Sequence, residues 1–413
     1  MPNESLQRCS DVSVTGWDAI RGWQHQQIDL HQVISHESNS CNRLISAESR
    51  LCFIRASANT IRECELCRQY FINTFHMPRT WWSDYSRKSN GYFGCQASIT
   101  NADSALSTWA YFEIKHLDKM KNYHWLKLNV FIQWLPSPSQ TIVLVFDTPL
   151  FIIQRIQTSM VSPTLTCLDD PFWFYTYLMD EVARLQELAV WGIRNQVRDV
   201  EKERKPSGRP QPNYRGLHDI ARHAIHVSET LDVAIQTMKR MLARHEHLMD
   251  STIRNDVSQE IHSQLQFFES FISSLRCRSA SNEKRMLNEI QLAFNTVAQH
   301  DANTSVKIGL ATQEDSDTMK SIAFVTLTFL PPTFVCAIFS MSFFDYSPES
   351  GWTVSNQFWL YWAFAMPTTL LTALVWYWLR RTNTSALAGD NEQRPTIDFR
   401  TELVKSALDI ERN

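Results

Sequence analysis

The chain has 413 residues, enough for two or three domains, because one hydrophobic core rarely organises more than a few hundred residues. Its 40 basic and 43 acidic side chains leave a formal net charge of -3, so the global excess that a nucleic-acid binder or polyanion binder carries is absent. The 10 glycines form neither a Walker loop nor a G-x-G-x-x-G fingerprint, which leaves nucleotide chemistry without a visible cradle and weakens most enzyme readings.

The first segment, 1–165, reads as a mixed α/β cytoplasmic domain. Its start, MPNESLQRCSDVSV, has neither the basic end nor the apolar core of a secretory signal, and the 9 cysteines are therefore expected to be reduced thiols. Cys64 and Cys67 in ECELC have the spacing of half a zinc site, with no second Cys-x-x-Cys pair to complete it. The runs STWAYFEIKHL, HWLKLNVFIQWL and TIVLVFDTPLFII are rich in β-branched and aromatic residues and read as strands; PSPSQ joins the last two into a hairpin. Residues 141 to 153 approach the apolarity of a membrane segment, but Asp147 and Pro149 interrupt them, which favours a buried strand.

Residues 166–320 read as a long-helix region ending in a stalk. Asp170 can cap its first helix and Pro171 fits the first turn; Leu178, Val182, Leu185, Ala189 and Ile193 then recur on one face. After KPSGRPQPN, a second helix is predicted from about Gly216 to Met249 and a third from about Thr252 to Arg278. His223 and His226 sit at i and i+3 beside His218, His245 and His247; without a third zinc ligand at a telling distance, surface or inter-helix polar contacts are the favoured reading. From about Asn282 no proline occurs until Pro331, so one helix can serve as a stalk running into the membrane. Along it Ile290, Phe294, Val297, Asp301, Thr304, Ile308, Ala311, Asp315 and Thr318 alternate at spacings of three and four, a coiled-coil-like stripe. Asp301 and Asp315 suit helices surrounding a cation path, or else lie on a solvated face.

Two uncharged runs follow: 321–344, expected as the pore-lining transmembrane helix, and 358–379, the second transmembrane helix. Each exceeds the ~20 residues that span a bilayer core at ~1.5 Å per residue. Trp359, Trp362, Trp376 and Trp378 mark the ends of the second, where amphipathic rings suit headgroup level. Lys320 precedes the first run, Arg380 and Arg381 follow the second, and the connecting outer loop, 345–357, carries only Asp345 and Glu349. The positive-inside rule then places both termini, including the tail 380–413, in the cytoplasm. Continuing the stripe into the membrane gives Met319, Ile322, Thr326, Leu330, Thr333, Ala337 and Ser340. Small hydroxyl residues on one face mark either close helix packing or a pore lining, in which Met319, Ile322 and Leu330 would narrow the path and gate it by dewetting. Two helices cannot enclose water, so a pore needs a closed ring of copies. Pro331-Pro332 removes backbone donors and reads as a bend or widening.

A long helix entering the first of two C-terminal membrane helices, a short acidic outer loop and a basic tail resemble the CorA family of divalent-cation channels. The segments DPFWFYTYLMDEVARLQELAVWGIRNQVRDVEKER, LHDIARHAIHVSETLDVAIQTM and MKSIAFVTLTFLPPTFVCAIFSMSFF are particularly similar to fungal CorA-like proteins, and the likeness runs from about Asp169 to Leu379. The resemblance implies an α+β cytoplasmic domain with long helices and a stalk continuing into a two-helix transmembrane region, assembled as a funnel-shaped homopentamer. It also implies Gly-Met-Asn at the outer end of the pore helix; the matching positions here are Ser340, Met341 and Ser342, of which only the methionine fits. Magnesium sheds its waters reluctantly, so a filter reads the hydrated ion through oxygens, and Ser342 offers one on a shorter arm than asparagine does.

By the same resemblance, regulatory magnesium binds between cytoplasmic subunits, with Asp301, Glu314, Asp315 and Asp317 as candidate carboxylates here. The expected function is a divalent-cation channel, with magnesium as transported ion, no further cofactor, no nucleic acid and no covalent chemistry. The partners are the lipid bilayer and other copies of the chain. The absence of an Arg-rich presequence favours the plasma membrane. The alternative is a non-conducting structural or sensory membrane protein on the same scaffold.

Overall fold

The computed structural model describes residues 11–18, 22–35, 49–99, 104–118, 122–137, 139–160, 167–203, 209–251, 256–339 and 344–391. They group into two compact units, Met1–Ala298 and Gln299–Asn413. The first begins with strands β1 (Asp11–Asp18) and β2 (Gly22–Asp29), a short helix α1 (Leu30–Ser35) and strand β3 (Leu51–Ala56). Helices α2 (Ala58–Glu63), α3 (Glu65–Phe75) and α4 (Asp84–Arg87) follow, then four strands, β4 (Gly91–Ile99), β5 (Ser104–Leu117), β6 (Tyr123–Leu135) and β7 (Gln140–Phe146). Helix α5 (Leu150–Ser159) closes this part, and the long helices α6 (Trp173–Lys202), α7 (Tyr214–Ser251) and α8 (Asp256–Phe339) succeed it.

The seven strands form one sheet in the order β2-β1-β3-β7-β6-β5-β4, in which β3 and β7 are the parallel pair and the other neighbours are antiparallel. Period-two alternation divides its side chains between two apolar layers. Leu51, Phe53, Val143 and Val145 pack with α5 to α8, while Cys52, Ile54, Ile142, Leu144 and Phe146 pack with α1 to α3. Both faces are therefore covered, which explains why β7 from Ile142 to Phe146 is an unbroken apolar run rather than an alternating one. Each fully buried aliphatic or aromatic side chain in these layers contributes about 1.5–3 kcal/mol by transfer. Cys64 and Cys67 lie inside the α1–α3 layer, and no cluster of metal-holding side chains occurs among the described residues.

The strand reading of 107–117 and 124–135 and the β6–β7 hairpin agree with the structure. The reading of 141–153 as one strand does not. The strand stops at Phe146, Asp147 turns at φ 53°, Pro149 occupies the N-cap, and Leu150 onward is helix. The turn is held by Asp147 Oδ1, which accepts the Ala58 N–H at 3.1 Å.

In α6 the anticipated face, Leu178, Val182, Leu185, Ala189 and Ile193, is buried. The helix starts at Trp173 with Phe172 at the N-cap, so Asp170 and Pro171 form the turn before it rather than the expected cap and first turn. Asp170 Oδ1 accepts the Phe172 N–H at 2.7 Å while its Oδ2 accepts His245 Nε2–H at 2.9 Å, with both side chains buried. The predicted third helix and stalk are one element, α8, of 84 residues. No glycine or proline breaks the segment between them, and its polar side chains have partners. Ser279 Oγ lies 2.8 Å from Ser228 Oγ on α7, Asn282 Nδ2 donates to the Val190 carbonyl of α6 at 3.2 Å, and Arg285 makes a two-bond fork to Glu201. Pro331 and Pro332 lie inside the helix, which continues to Phe339.

The α7 histidines seat the helix on the sheet edge. His223 stacks on Tyr123 with ring centres 3.4 Å apart, and His226 tilts against Trp125, over which Lys115 also lies. Burial pushes the His223 pKa down to about 4, with Lys115, Arg222 and His226 adding to the shift and Asp219 opposing it. The folded state thus prefers the neutral ring, so stability is full above the unfolded pKa of about 6.5 and falls as pH drops toward 4. Urea unfolding of the full chain should lose on the order of 3 kcal/mol over that window, and His223→Gln should flatten the slope; an unchanged slope would contradict the burial account.

Candidate ion path

The second unit contains the remainder of α8, a hairpin of β8 (Phe344–Ser347) and β9 (Gly351–Val354), and helix α9 (Phe358–Asn391). Two stretches, Asp256–Ala337 and Phe358–Trp378, contain segments long and apolar enough to cross a membrane. Their contact has a defined face. On α8 the half-buried side chains are Thr328, Pro331, Pro332 and Val335; on α9 the inward row is Phe358, Tyr361, Ala365, Thr369, Thr372 and Trp376. Phe324 and Trp376 mark it, with ring centres 4.5 Å apart.

At ~100° per residue, Thr326, Leu330, Thr333 and Ala337 fall about half a turn from that face. They are exposed in the single chain, as are Ile322 at 62% and Met319 at 73%. Packing between α8 and α9 therefore does not account for the hydroxyl stripe; Thr328 and the prolines do that work. The stripe hydroxyls have a fixed polarity. Thr326 Oγ1 donates to the Ile322 carbonyl at 2.9 Å, and Thr333 Oγ1 to the Phe329 and Leu330 carbonyls, each at 2.9 Å. With their protons spent on the helix, these oxygens present acceptor lone pairs outward, the polarity a cation's water shell requires. Pro331 and Pro332, lacking N–H groups, leave the carbonyls of Leu327 and Thr328 without their intrahelical donors, on the side of α8 toward α9.

Further along α8 toward its start, Asp301, Thr304, Ile308, Ala311, Asp315 and Thr318 are all exposed. Asp301 and Asp315 share the spacing that leads to Met319 and Ile322. Glu314 and Asp317 are exposed too, but stand about 100° and 200° round the helix from Asp315, and Asp317 Oδ1 is taken by Lys320 Nζ at 2.9 Å. The four candidate carboxylates thus do not converge on one point of a single chain.

Ser340, Met341 and Ser342 lie outside the described residues. Beyond them the connection, read from sequence as a loop, is a β-hairpin with Asp345 opposite Thr353 and Tyr346 opposite Trp352. Its three-residue turn closes through Gly351 at φ 68°, a conformation that glycine adopts without strain. Tyr346 and Trp352 pair on one face with rings 5.2 Å apart, Asp345 projects on the other, and Glu349 sits exposed at the tip. The signal for this element was present: aromatic and β-branched residues flank SPESG on both sides.

A family model described as CorA-like Mg2+ transporter protein matches residues 137–381. The chain belongs to that family. Its members are membrane-embedded divalent-cation transporters that self-associate, and they are not enzymes. Among curated proteins, the chain is similar to "Notoamide biosynthesis cluster protein M'" of Aspergillus versicolor, 30% identical over 292 residues. That alignment takes in 65% of this chain and 62% of the relative, so the chain spans less than two thirds of the relative's length. Among solved structures, the CorA magnesium transporter of Methanocaldococcus jannaschii aligns at 10% identity over 88% of this chain and 96% of its own, with a TM-score of 0.38. The full-length CmaX protein aligns at 14% identity over 92% and 99%, with a TM-score of 0.40.

For a self-associating CorA-like chain, the exposed stripe is the surface that neighbouring copies should share. Ile308 and Leu310 are equally exposed, at 61%, but only Ile308 is on it. Oxidation of Ile308→Cys in membranes should give disulfide-linked dimers on a non-reducing gel, and Leu310→Cys should give far fewer; equal linking at both would remove the stripe as an interface.

Proposed function

We propose that the chain assembles as a homopentamer that passes divalent cations, magnesium foremost, down their electrochemical gradient into the cytoplasm through a path lined by α8 of every copy. The observation that carries this reading is the exposed stripe Met319, Ile322, Thr326, Leu330, Thr333 and Ala337 on the side of α8 away from α9, with the acceptor oxygens of Thr326 and Thr333 within it. In lipid, exposed acceptors of this kind are costly, whereas around water they bind the shell of a hydrated ion. Leu370, Leu371 and Leu374 of α9, all exposed, suit the lipid side of the same assembly.

In this reading Asp345 and Glu349 raise the cation concentration at the mouth. Ser340, Met341 and Ser342 form the filter. A magnesium ion keeps its tightly bound waters there, and the Ser342 hydroxyl accepts from them. Met319, Ile322 and Leu330 constrict the path and gate it by dewetting. Magnesium held between copies at Asp301, Glu314, Asp315 and Asp317 couples the gate to its internal concentration. The residues Lys320, Arg380 and Arg381 keep both termini in the cytoplasm, and the plasma membrane is the proposed location.

A second reading keeps the scaffold and drops conduction. It is favoured by the serines at two filter positions, which replace a bare backbone and a longer amide arm. It is also favoured by a relative named for a biosynthesis cluster rather than for an ion.

Flux separates the two. Purified chain in magnesium-free liposomes should admit magnesium, reported by an internal fluorescent indicator, and Thr333→Trp should abolish the signal while leaving the assembly intact by size. No divalent entry through an intact wild-type assembly would leave the scaffold reading. In the conducting case, Ser342→Asn with Ser340→Gly should raise the preference for magnesium over other divalent ions; an unchanged preference would remove these side chains from the filter.

A further inference from the structure

The parallel strands β3 and β7 end side by side at Ala56 and Phe146. From there the chain departs in opposite directions: α2 packs on one face of the sheet through Ala58 and Ile61, and α5 on the other through Ile152, Ile153 and Ile156. Such a divergence opens a crevice at the carboxyl edge of a sheet, the place where open α/β sheets bind ligands. The crevice here holds a cavity of about 250 Å³ between α2, α4, β5, β6 and the end of β7. That volume lies just under the ~300–1,000 Å³ of ordinary small-molecule sites and suits a small metabolite.

Three cations line it, Arg62, Arg87 and Lys127, against one carboxylate, Asp147. The Arg62 guanidinium lies over the Trp81 ring, 5.4 Å from its centre, and its buried Nε has no hydrogen-bond partner among the described residues. Burial lowers its pKa, an effect that the neighbouring Tyr92, Asp147 and Asp84 offset only in part. Lys127 has a loose contact, 4.0 Å to Glu113, whose own pKa burial raises. Asn129, 8% exposed, also lines the cavity, and its Oδ1 has no partner among the described residues. A buried amide oxygen left this way is costly, and a ligand's hydroxyl would satisfy it by donating to Oδ1. Asp147 is fixed in place by the Ala58 N–H and adds a second acceptor.

We propose that this crevice binds a small phosphate ester carrying hydroxyl groups. Arg62, Arg87 and Lys127 hold the phosphate by charge-assisted hydrogen bonds, and Asn129 with Asp147 takes the hydroxyls. The site is separate from the ion path and does not depend on whether the chain conducts.

The test is calorimetry on the full chain in detergent, titrated with glucose 6-phosphate, inorganic phosphate and glucose at matched ionic strength. Glucose 6-phosphate should bind at least about tenfold more tightly than inorganic phosphate, and glucose should not bind measurably. Arg87→Gln, at an exposed position, and Lys127→Gln, at a half-buried one, should unfold at the wild-type temperature and each weaken the ester by about tenfold. Absence of binding by the ester, equal affinity for ester and inorganic phosphate, or wild-type affinity in both variants would each overturn the assignment. Micelles doped with phosphatidylinositol 4-phosphate form a further arm. Binding there, with no response to glucose 6-phosphate, would assign the crevice to a lipid headgroup and overturn the metabolite.

Discussion

A row of hydroxyl oxygens on a membrane helix must meet either protein or water, because hydrocarbon offers no hydrogen-bond donor. In this chain α9 covers the face of α8 that carries Thr328, Pro331, Pro332 and Val335 and leaves the face with Thr326 and Thr333 open. If other copies surround the open face, a closed ring with a polar interior follows, and the outward lone pairs of Thr326 and Thr333 line a path.

The first unit supplies the footing for α8. Its sheet is buried on both faces, and the early part of α8 is held to α6 and α7 by polar contacts as well as apolar ones. Asn282 reaches the Val190 carbonyl, Arg285 forks onto Glu201, and Arg276 binds Asp232 at 2.7 Å. Polar contacts of this kind are directional, so they fix the rotation of a helix where apolar packing alone tolerates slippage.

Much of this was legible in the sequence because periodicity reports burial directly. Leu178 to Ile193 marked the α6 face, the aromatic and β-branched runs marked β5, β6 and β7, and two uncharged stretches marked the membrane helices. What failed was punctuation. Residues 150–153 continue an apolar run, and only the local chemistry of Asp147 and Pro149 separates strand from helix. The segment around Ser279 and Asn282 looks like a break on polarity alone, yet Ser228 and the Val190 carbonyl satisfy it across the bundle. Pairings between distant residues, such as Asp170 with His245 or His223 with Tyr123, have no local signature at all. The candidate path was readable as a stripe, but its separation from the α9 contact needed the second helix to be in place.

The central claim is that the open face of α8 faces an aqueous ion path. It is tested most directly by flux through single-cysteine proteins, in a background with the nine native cysteines replaced by serine, before and after a charged, membrane-impermeant thiol reagent. Thr333→Cys should lose its magnesium flux on modification, whereas Thr328→Cys, on the face against α9, should keep it. Loss of flux at Thr328→Cys with Thr333→Cys unaffected would contradict the account.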